Sequence, residues 1–127
     1  MSTSIVLIVE DEKPIYTLLK EKLEKEGLEV EIATDGEMGF KKALELHPNL
    51  IMLDIILPKL DGMSMLKDLR KENTWGAKVP VILLTNVDPS SEKMNREIAE
   101  TQPAYYMVKS NWKLEDVMEK IKEVLQG

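Results

Sequence analysis

Four short apolar runs in this 127-residue chain each end at a polar residue that could take part in chemistry. The runs are Ile5–Val9, Leu50–Leu53, Val81–Leu84 and Tyr105–Val108. In the same order, the polar residues that follow them are Glu10-Asp11, Asp54, Thr85 and Lys109. If the runs are neighbouring parallel strands, three carboxylates, a hydroxyl and an ammonium group meet at one sheet edge. Crowded carboxylates repel each other, and a hard cation with oxygen ligands relieves that repulsion. Such an edge could hold Mg²⁺ and a phosphoryl group, with one carboxylate as a nucleophile that forms an acyl phosphate.

The elements that must position these residues alternate between strand and helix five times along the chain. The run Ile5–Val9 is short and β-branched, as in a strand buried on both faces. Residues 28–32 alternate apolar and acidic side chains, which is typical of a half-buried strand near a sheet edge. The alternation predicts right-handed βαβ units, an α/β fold and one domain over residues 1–127. Sites in such sheets lie at the carboxyl ends of the strands.

One predicted helix has an unusually weak apolar face. Asp88 as N-cap and Pro89 at the first helical position predict a helix over 88–101. It has few apolar residues to bury, namely Met94, Ile98 and Ala99, so we expect it to dock more loosely than the others. Residues 73–76 have the composition of a loop, and the final helix, 111–125, carries a continuous apolar stripe.

Composition excludes several classes of function. The chain has no cysteine, which rules out disulfides, thiolate metal sites and a cysteine nucleophile. Its formal net charge of −6, with no basic stripe, argues against direct nucleic-acid binding. No run approaches the roughly 20 apolar residues of a membrane span, and residues 1–4 lack a charged leader pattern. We therefore expect a cytoplasmic protein with no membrane partner.

The segment from Asp54 to Gly62 carries the strongest motif, Asp-x-x-x-Pro-x-x-Asp-Gly. With this loop and the four polar strand ends, the chain resembles the receiver domain of two-component response regulators, similar to the chemotaxis regulator, over nearly all of residues 5–125. The resemblance implies a flavodoxin-like, doubly wound (βα)5 three-layer sandwich. Its five parallel strands would have the order 2-1-3-4-5.

The resemblance also implies a Mg²⁺ site. Asp11 would be the direct acidic ligand, and Glu10 would be its partner, often acting through water. Asp54 and the backbone carbonyl of Ile56 would complete the protein ligands. The acidic pair is Glu-Asp here, whereas Asp-Asp is commoner in the family, but the longer Glu10 still reaches a metal-bound water.

By the same resemblance, Asp54 is the phosphoacceptor. Thr85 would bind a phosphoryl oxygen, Lys109 would pair with the phosphate, and Tyr106 fills the aromatic switch position. The chain departs from the common pattern after two of these residues. Lys109 precedes Ser110, where many members have a cis proline, and Thr85 precedes Asn86, where a small residue is more usual.

The function this implies is a phosphorelay switch. A sensor histidine kinase or phosphotransfer protein would phosphorylate Asp54, and the surface of helix 88–101, strand 104–108 and helix 111–125 would change. Output would pass to an effector protein, a missing output domain or a phosphorylation-dependent dimer. The chain would catalyse only its own phosphorylation and a slow autodephosphorylation, since apolar Ile56 and Val87 cannot position water by hydrogen bonding.

Three other classes of function compete with this one. A phosphatase with an aspartate nucleophile wants a second Asp at position 56, where this chain has isoleucine. A flavin or nucleotide binder wants a first loop rich in Gly, Ser and Thr, whereas residues 10–14 are acidic and lack glycine. A receiver-like scaffold that no longer accepts phosphate is disfavoured because this chain has every key residue type, and a phosphorylation assay is what excludes it. The single histidine, His47, is expected at the surface, and the chain is expected to be a stand-alone receiver or a piece of a longer regulator.

Overall fold

The computed structural model of the chain describes residues 3–127 and contains one parallel five-stranded sheet. The strand order is β2-β1-β3-β4-β5, which confirms the predicted order. The strands are β1 (Ile5–Val9), β2 (Glu29–Ala33), β3 (Leu50–Leu53), β4 (Val81–Thr85) and β5 (Tyr105–Val108). The half-buried strand β2 lies at a sheet edge, as its alternating sequence predicted.

Within the described residues 3–127, six α-helices connect and cover the strands. They are α1 (Lys13–Lys25), α2 (Gly36–Leu46), α3 (Gly62–Glu72), α4 (Thr74–Lys78), α5 (Glu92–Thr101) and α6 (Leu114–Gln126), and a 3₁₀ turn spans Lys109–Asn111. None of the helices within residues 3–127 is long and apolar enough to cross a membrane.

The sheet separates two hydrophobic layers because successive strand residues point to opposite faces. Leu7 and Val9 of β1 pack with buried residues of α2 and α3, whereas Val6 and Ile8 pack with those of α1 and α6. The partly buried side chains of α4 and α5 join the first layer. This arrangement confirms the predicted three-layer sandwich.

The register of the strands brings their carboxyl ends level. Val9 pairs with Leu53, Leu53 pairs with Leu83, and Thr85 pairs with Val108. The residues that follow these pairs therefore emerge at the same edge of the sheet.

Three predictions about the helices were wrong. The final helix begins at Leu114 rather than at residue 111, because Lys109–Asn111 form a 3₁₀ turn. Residues 73–76 are not simply a loop, because Asn73 caps α4 by accepting a hydrogen bond from the Gly76 amide at 2.7 Å. The helix predicted over 88–101 begins at Glu92, where the Ser91 hydroxyl accepts from the Met94 amide at 3.0 Å. Asp88 and Pro89 instead belong to the loop that leads into α5.

Candidate functional site

Four polar side chains are buried at the carboxyl edge of the sheet. Glu10 follows β1, Asp54 follows β3, Thr85 ends β4 and Lys109 follows β5. Each is less than a tenth exposed. Buried charges are unfavourable unless they are paired and hydrogen-bonded, so the partners of these groups decide what the site can do.

Lys109 is the centre of the site. Its Nζ atom lies 2.8 Å from Asp54 Oδ2, 2.7 Å from Glu10 Oε1 and 2.5 Å from Glu12 Oε2. An ammonium group has three donors, and three carboxylates accept them here. Three negative charges against one positive charge leave the ionised group at −2, which favours a further cation.

Burial and hydrogen bonding shift the pKa values of two of these groups. Burial raises the pKa of Glu10 and outweighs the hydrogen bonds from Lys109 and from the Glu12 amide, which lower it. For Lys109, burial alone would lower the pKa, but the hydrogen bonds to the three carboxylates raise it well above its ordinary value. Lys109 therefore stays protonated and able to pair with an anion.

The donor set of this edge fits a hard divalent cation. One carboxylate oxygen from each of Glu10, Glu12 and Asp54 lies within 4.8 Å of the others. Asp11 is exposed and lines a cleft of about 350 Å³ at the same edge, together with Asp54 and Ile56. Mg²⁺ prefers carboxylate and carbonyl oxygens together with water, and an open cleft leaves room for that water.

Glu12 is the residue that the sequence reasoning missed. The sequence indicates an acidic loop over residues 10–14 but no role for Glu12. The one signal in the sequence is that Glu12 is the third acidic residue in a row. Its pairing with Lys109 cannot be read from the sequence.

Thr85 and Tyr106 meet through the backbone of one residue. The Val87 amide donates to Thr85 Oγ1 at 3.4 Å, and the Tyr106 hydroxyl donates to the Val87 carbonyl at 2.6 Å. Burial raises the pKa of Tyr106, and the charges of Asp88 and Asp54 add to that effect. The predicted switch pair is thus connected through the loop between β4 and α5.

The loop after Asp54 is shaped by tight backbone contacts. A Cβ atom on Gly62 would lie 2.0 Å from the Asp54 carbonyl oxygen, so only glycine fits there. Asp61 caps α3 by accepting from the Ser64 amide at 3.0 Å. The Asp-Gly pair of the motif therefore fixes the backbone beside Asp54 and starts the next helix.

Comparison with known proteins decides the family. The sequence model of the response regulator receiver domain matches residues 6–122. The chain belongs to this family. It is a receiver domain of a two-component response regulator.

Relatives and solved structures agree with this family. The chain is 43% identical over 89 residues to the alkaline phosphatase synthesis transcriptional regulatory protein PhoP of Bacillus subtilis. That match covers 70% of this chain and 36% of the relative, so this receiver domain spans about a third of the protein it matches.

The fold is also found in solved receiver domains. A CheY-like receiver domain protein from Methanospirillum hungatei superposes with a TM-score of 0.87 and 31% identity, covering 98% of this chain and 95% of its own. The receiver domain of a Pseudomonas aeruginosa sensor histidine kinase, with a magnesium ion coordinated in its active-site cleft, has a TM-score of 0.84. It is 23% identical, with 99% of this chain and 100% of that chain covered, so it shows the shared fold.

The structure answers one expectation, about His47, and one open question, about the bond between Lys109 and Ser110. His47 is exposed, as predicted, and its ring stacks on Trp75 with the centroids 4.2 Å apart. It precedes β3, so it lies at the opposite end of the sheet from Asp54. The Lys109–Ser110 peptide bond is trans.

Proposed function

We propose that this receiver domain accepts a phosphoryl group on Asp54 from a sensor histidine kinase or a phosphotransfer protein. The observation that carries the proposal is the buried pair of Asp54 Oδ2 and Lys109 Nζ, 2.8 Å apart at the carboxyl edge of the sheet. In such a pair, the carboxylate supplies the nucleophile and the lysine supplies the positive charge that phosphoryl transfer needs.

In the proposed transfer, an Asp54 carboxylate oxygen forms a bond to phosphorus. The phosphorus–nitrogen bond of the donor phosphohistidine breaks, and the imidazole nitrogen keeps the electron pair. Lys109 then pairs with the new phosphoryl oxygens, and Thr85 donates its hydroxyl to one of them. The hydroxyl of Thr85 is available for this because its bond to Val87 uses it only as an acceptor.

Mg²⁺ would be held by Glu10, Asp11, Asp54 and the backbone carbonyl of Ile56. When bound, it would supply positive charge for the phosphoryl oxygens. The acidic group at this edge contains Glu10 and Asp54, and Asp11 and Ile56 line the adjoining cleft. The magnesium ion in the Pseudomonas receiver domain also supports the assignment. The negative charge of these side chains would repel the anionic phosphoryl donor, so we expect phosphorylation to require the cation.

The proposed output is a change in the surface formed by α5, β5 and α6. Movement of Thr85 toward the phosphoryl group would pull the loop that carries Val87, to which the Tyr106 hydroxyl is bonded. Release of that bond would let Tyr106 move. The contact through Val87 supports this route from the site to the surface.

We further propose that residues 1–127 are one cytoplasmic receiver domain whose output passes to a partner. That partner would be an effector protein, an output domain or a second receiver in a phosphorylation-dependent dimer. A relative that is a transcriptional regulatory protein, of which this chain matches 36%, is consistent with an output domain.

The test is phosphorylation by a small donor. The wild-type chain is incubated with acetyl phosphate and Mg²⁺, and its intact mass is measured. We expect the mass of one phosphoryl group to be added, with none on Asp54→Asn and none when Mg²⁺ is chelated. An unmodified wild type, or equal modification of Asp54→Asn, would refute the proposal.

A further inference from the structure

We infer that Glu12 is a built-in counter-ion of Lys109 that the phosphoryl group must displace. The inference deepens the proposed function and rests on it. Its starting point is the third contact of Lys109, from Nζ to Glu12 Oε2 at 2.5 Å. This contact fills the last donor of an ammonium group whose other two donors point to Asp54 and Glu10.

The position of Glu12 leaves its side chain free for this role. Glu12 is the N-cap residue of α1, but its side chain makes no capping hydrogen bond. Its backbone carbonyl accepts from the Ile15 and Tyr16 amides, and its amide donates to Glu10 Oε2 at 3.1 Å. The backbone therefore holds the helix start, while the carboxylate reaches across to Lys109.

Burial decides which of the three carboxylates can leave. The side chain of Glu12 is 52% exposed, whereas those of Glu10 and Asp54 are 4% and 6% exposed. An exposed ion pair contributes little, because water solvates the freed carboxylate. Releasing a buried carboxylate without a partner is far more unfavourable. Glu12 is thus the partner that Lys109 can exchange for a phosphoryl oxygen.

The charge balance gives the exchange a direction. Phosphorylation turns the single negative charge of Asp54 into an acyl phosphate with up to two negative charges. Lys109 then has more negative charge to neutralise at this position. The approaching donor is also an anion, and Glu12 adds one negative charge to the site that it meets, with or without a bound cation. With Glu12 present, the donor is repelled more strongly and Lys109 is already occupied. Glu12 therefore slows phosphorylation by small donors.

The experiment compares two variants that remove one negative charge each. Glu12→Gln removes the counter-ion and keeps the side-chain shape. Glu24→Gln removes an exposed charge about three turns further along α1 and serves as the matched control. The rate of acyl phosphate formation is followed by intact mass with acetyl phosphate at saturating Mg²⁺. In this reaction, acetate leaves with the electron pair of the broken phosphorus–oxygen bond.

We expect Glu12→Gln to be phosphorylated roughly threefold to tenfold faster than wild type, since one unit charge near a dianion is removed. Glu24→Gln should match wild type, because its charge is screened over that distance. Added salt should raise the wild-type rate more than the Glu12→Gln rate, which a merely structural role of Glu12 would not produce.

The other outcomes distinguish failure of the inference from failure of the proposed function. A Glu12→Gln rate equal to or below wild type would overturn the inference, and so would an equal acceleration by Glu24→Gln. A wild-type chain that stays unmodified would refute the proposed function, and the inference would fall with it. A modified wild type without acceleration by Glu12→Gln refutes the inference alone.

Discussion

Helices α3 and α5 pack on the same face of the sheet but are held there by different forces. Five residues of α3 are buried, namely Gly62, Met63, Met65, Leu66 and Leu69. Thr101 is the one residue of α5 that is buried. The comparison separates a helix that supplies several core residues from a helix that contributes little to the core.

Polar contacts from α3 hold the far end of α5. Arg70 donates to the Thr101 carbonyl at 2.8 Å and to the Gln102 carbonyl at 3.5 Å. Lys67 forms an ion pair with Glu97. All these contacts fall between residues 97 and 102, whereas Ser91 and Glu92 at the start of α5 are exposed. The start of α5, which follows the loop from Thr85, is thus the end that α3 holds least.

The largest expected difference between the two helices is in their apolar contacts. Leu66→Ala opens a cavity in the core under α3 and should lower the free energy of unfolding by about 2–5 kcal/mol. Ile98→Ala in α5 removes a half-buried side chain and should lower it by about 1 kcal/mol. Urea unfolding of both variants measures the difference. Equal losses would contradict the loose docking of α5.

Removing Arg70 should free the far end of α5 as well. The guanidinium donates to four carbonyls, those of Gly76, Val79, Thr101 and Gln102. Arg70→Ala leaves these acceptors without that donor and should cost about 1–3 kcal/mol. Hydrogen exchange should increase at residues 97–102.

Arg70→Lys serves as the matched control for charge. A lysine keeps the positive charge but lacks the planar fork that reaches several carbonyls, so it should restore little of the lost stability. Full rescue by lysine would show that charge, rather than the hydrogen bonds, holds α5.

The caps of the two helices should differ in their response to pH. Asp61→Ala should lower the free energy of unfolding by about 1 kcal/mol at neutral pH, since the cap of α3 is lost. Burial alone would raise the pKa of Asp61, but hydrogen bonds from Ser64 outweigh it and hold the pKa below its ordinary value of 3.8.

The sign of the pH effect follows from that lowered pKa. The folded state binds the Asp61 proton less tightly than the unfolded state, so the stabilisation is present above the ordinary pKa and is lost as pH falls through the folded value. Asp61→Ala should therefore differ less from wild type in acid. Ser91→Ala, which removes the cap of α5, should keep a constant difference because serine does not titrate. The same trend in both variants would contradict this assignment.

The smallest expected effect is on the lifetime of the phosphorylated state. Ile56 follows β3 and is 64% exposed, and Val87 lies in the loop before α5. Neither side chain can orient an attacking water, so we expect slow autodephosphorylation. Ile56→Asn combined with Val87→Glu should accelerate decay about threefold, which is about 0.6 kcal/mol in barrier. Mass measured over time after donor removal tests this, and an unchanged decay rate would count against it.

The arrangement of the site was predictable because it depends on local patterns. Apolar runs that end at polar residues mark the carboxyl ends of buried strands, and parallel pairing brings those ends together. Asp54 and Lys109 are 55 residues apart in sequence, yet the strand pattern alone places both at one edge. The edge position of β2 followed in the same way from its alternating sequence.

The failures have physical reasons. Asp88-Pro89 and Ser91-Glu92 both fit the pattern of a helix start, and local sequence could not decide between them. Helix α4 has only five residues, too few for a periodic pattern to appear. The contact between Glu12 and Lys109 joins residues 97 positions apart. It depends on the conformation of the long Glu12 side chain, which a strand pattern does not predict.

Hydrogen exchange of the wild-type chain, with and without acetyl phosphate and Mg²⁺, tests the central claim most directly. We predict that phosphorylation changes exchange across residues 86–101 and leaves α3 unchanged, and that Asp54→Asn shows neither modification nor change. A phosphorylated wild type with unchanged exchange in α5, or an equal change in Asp54→Asn, would contradict the account of Asp54 as the switch.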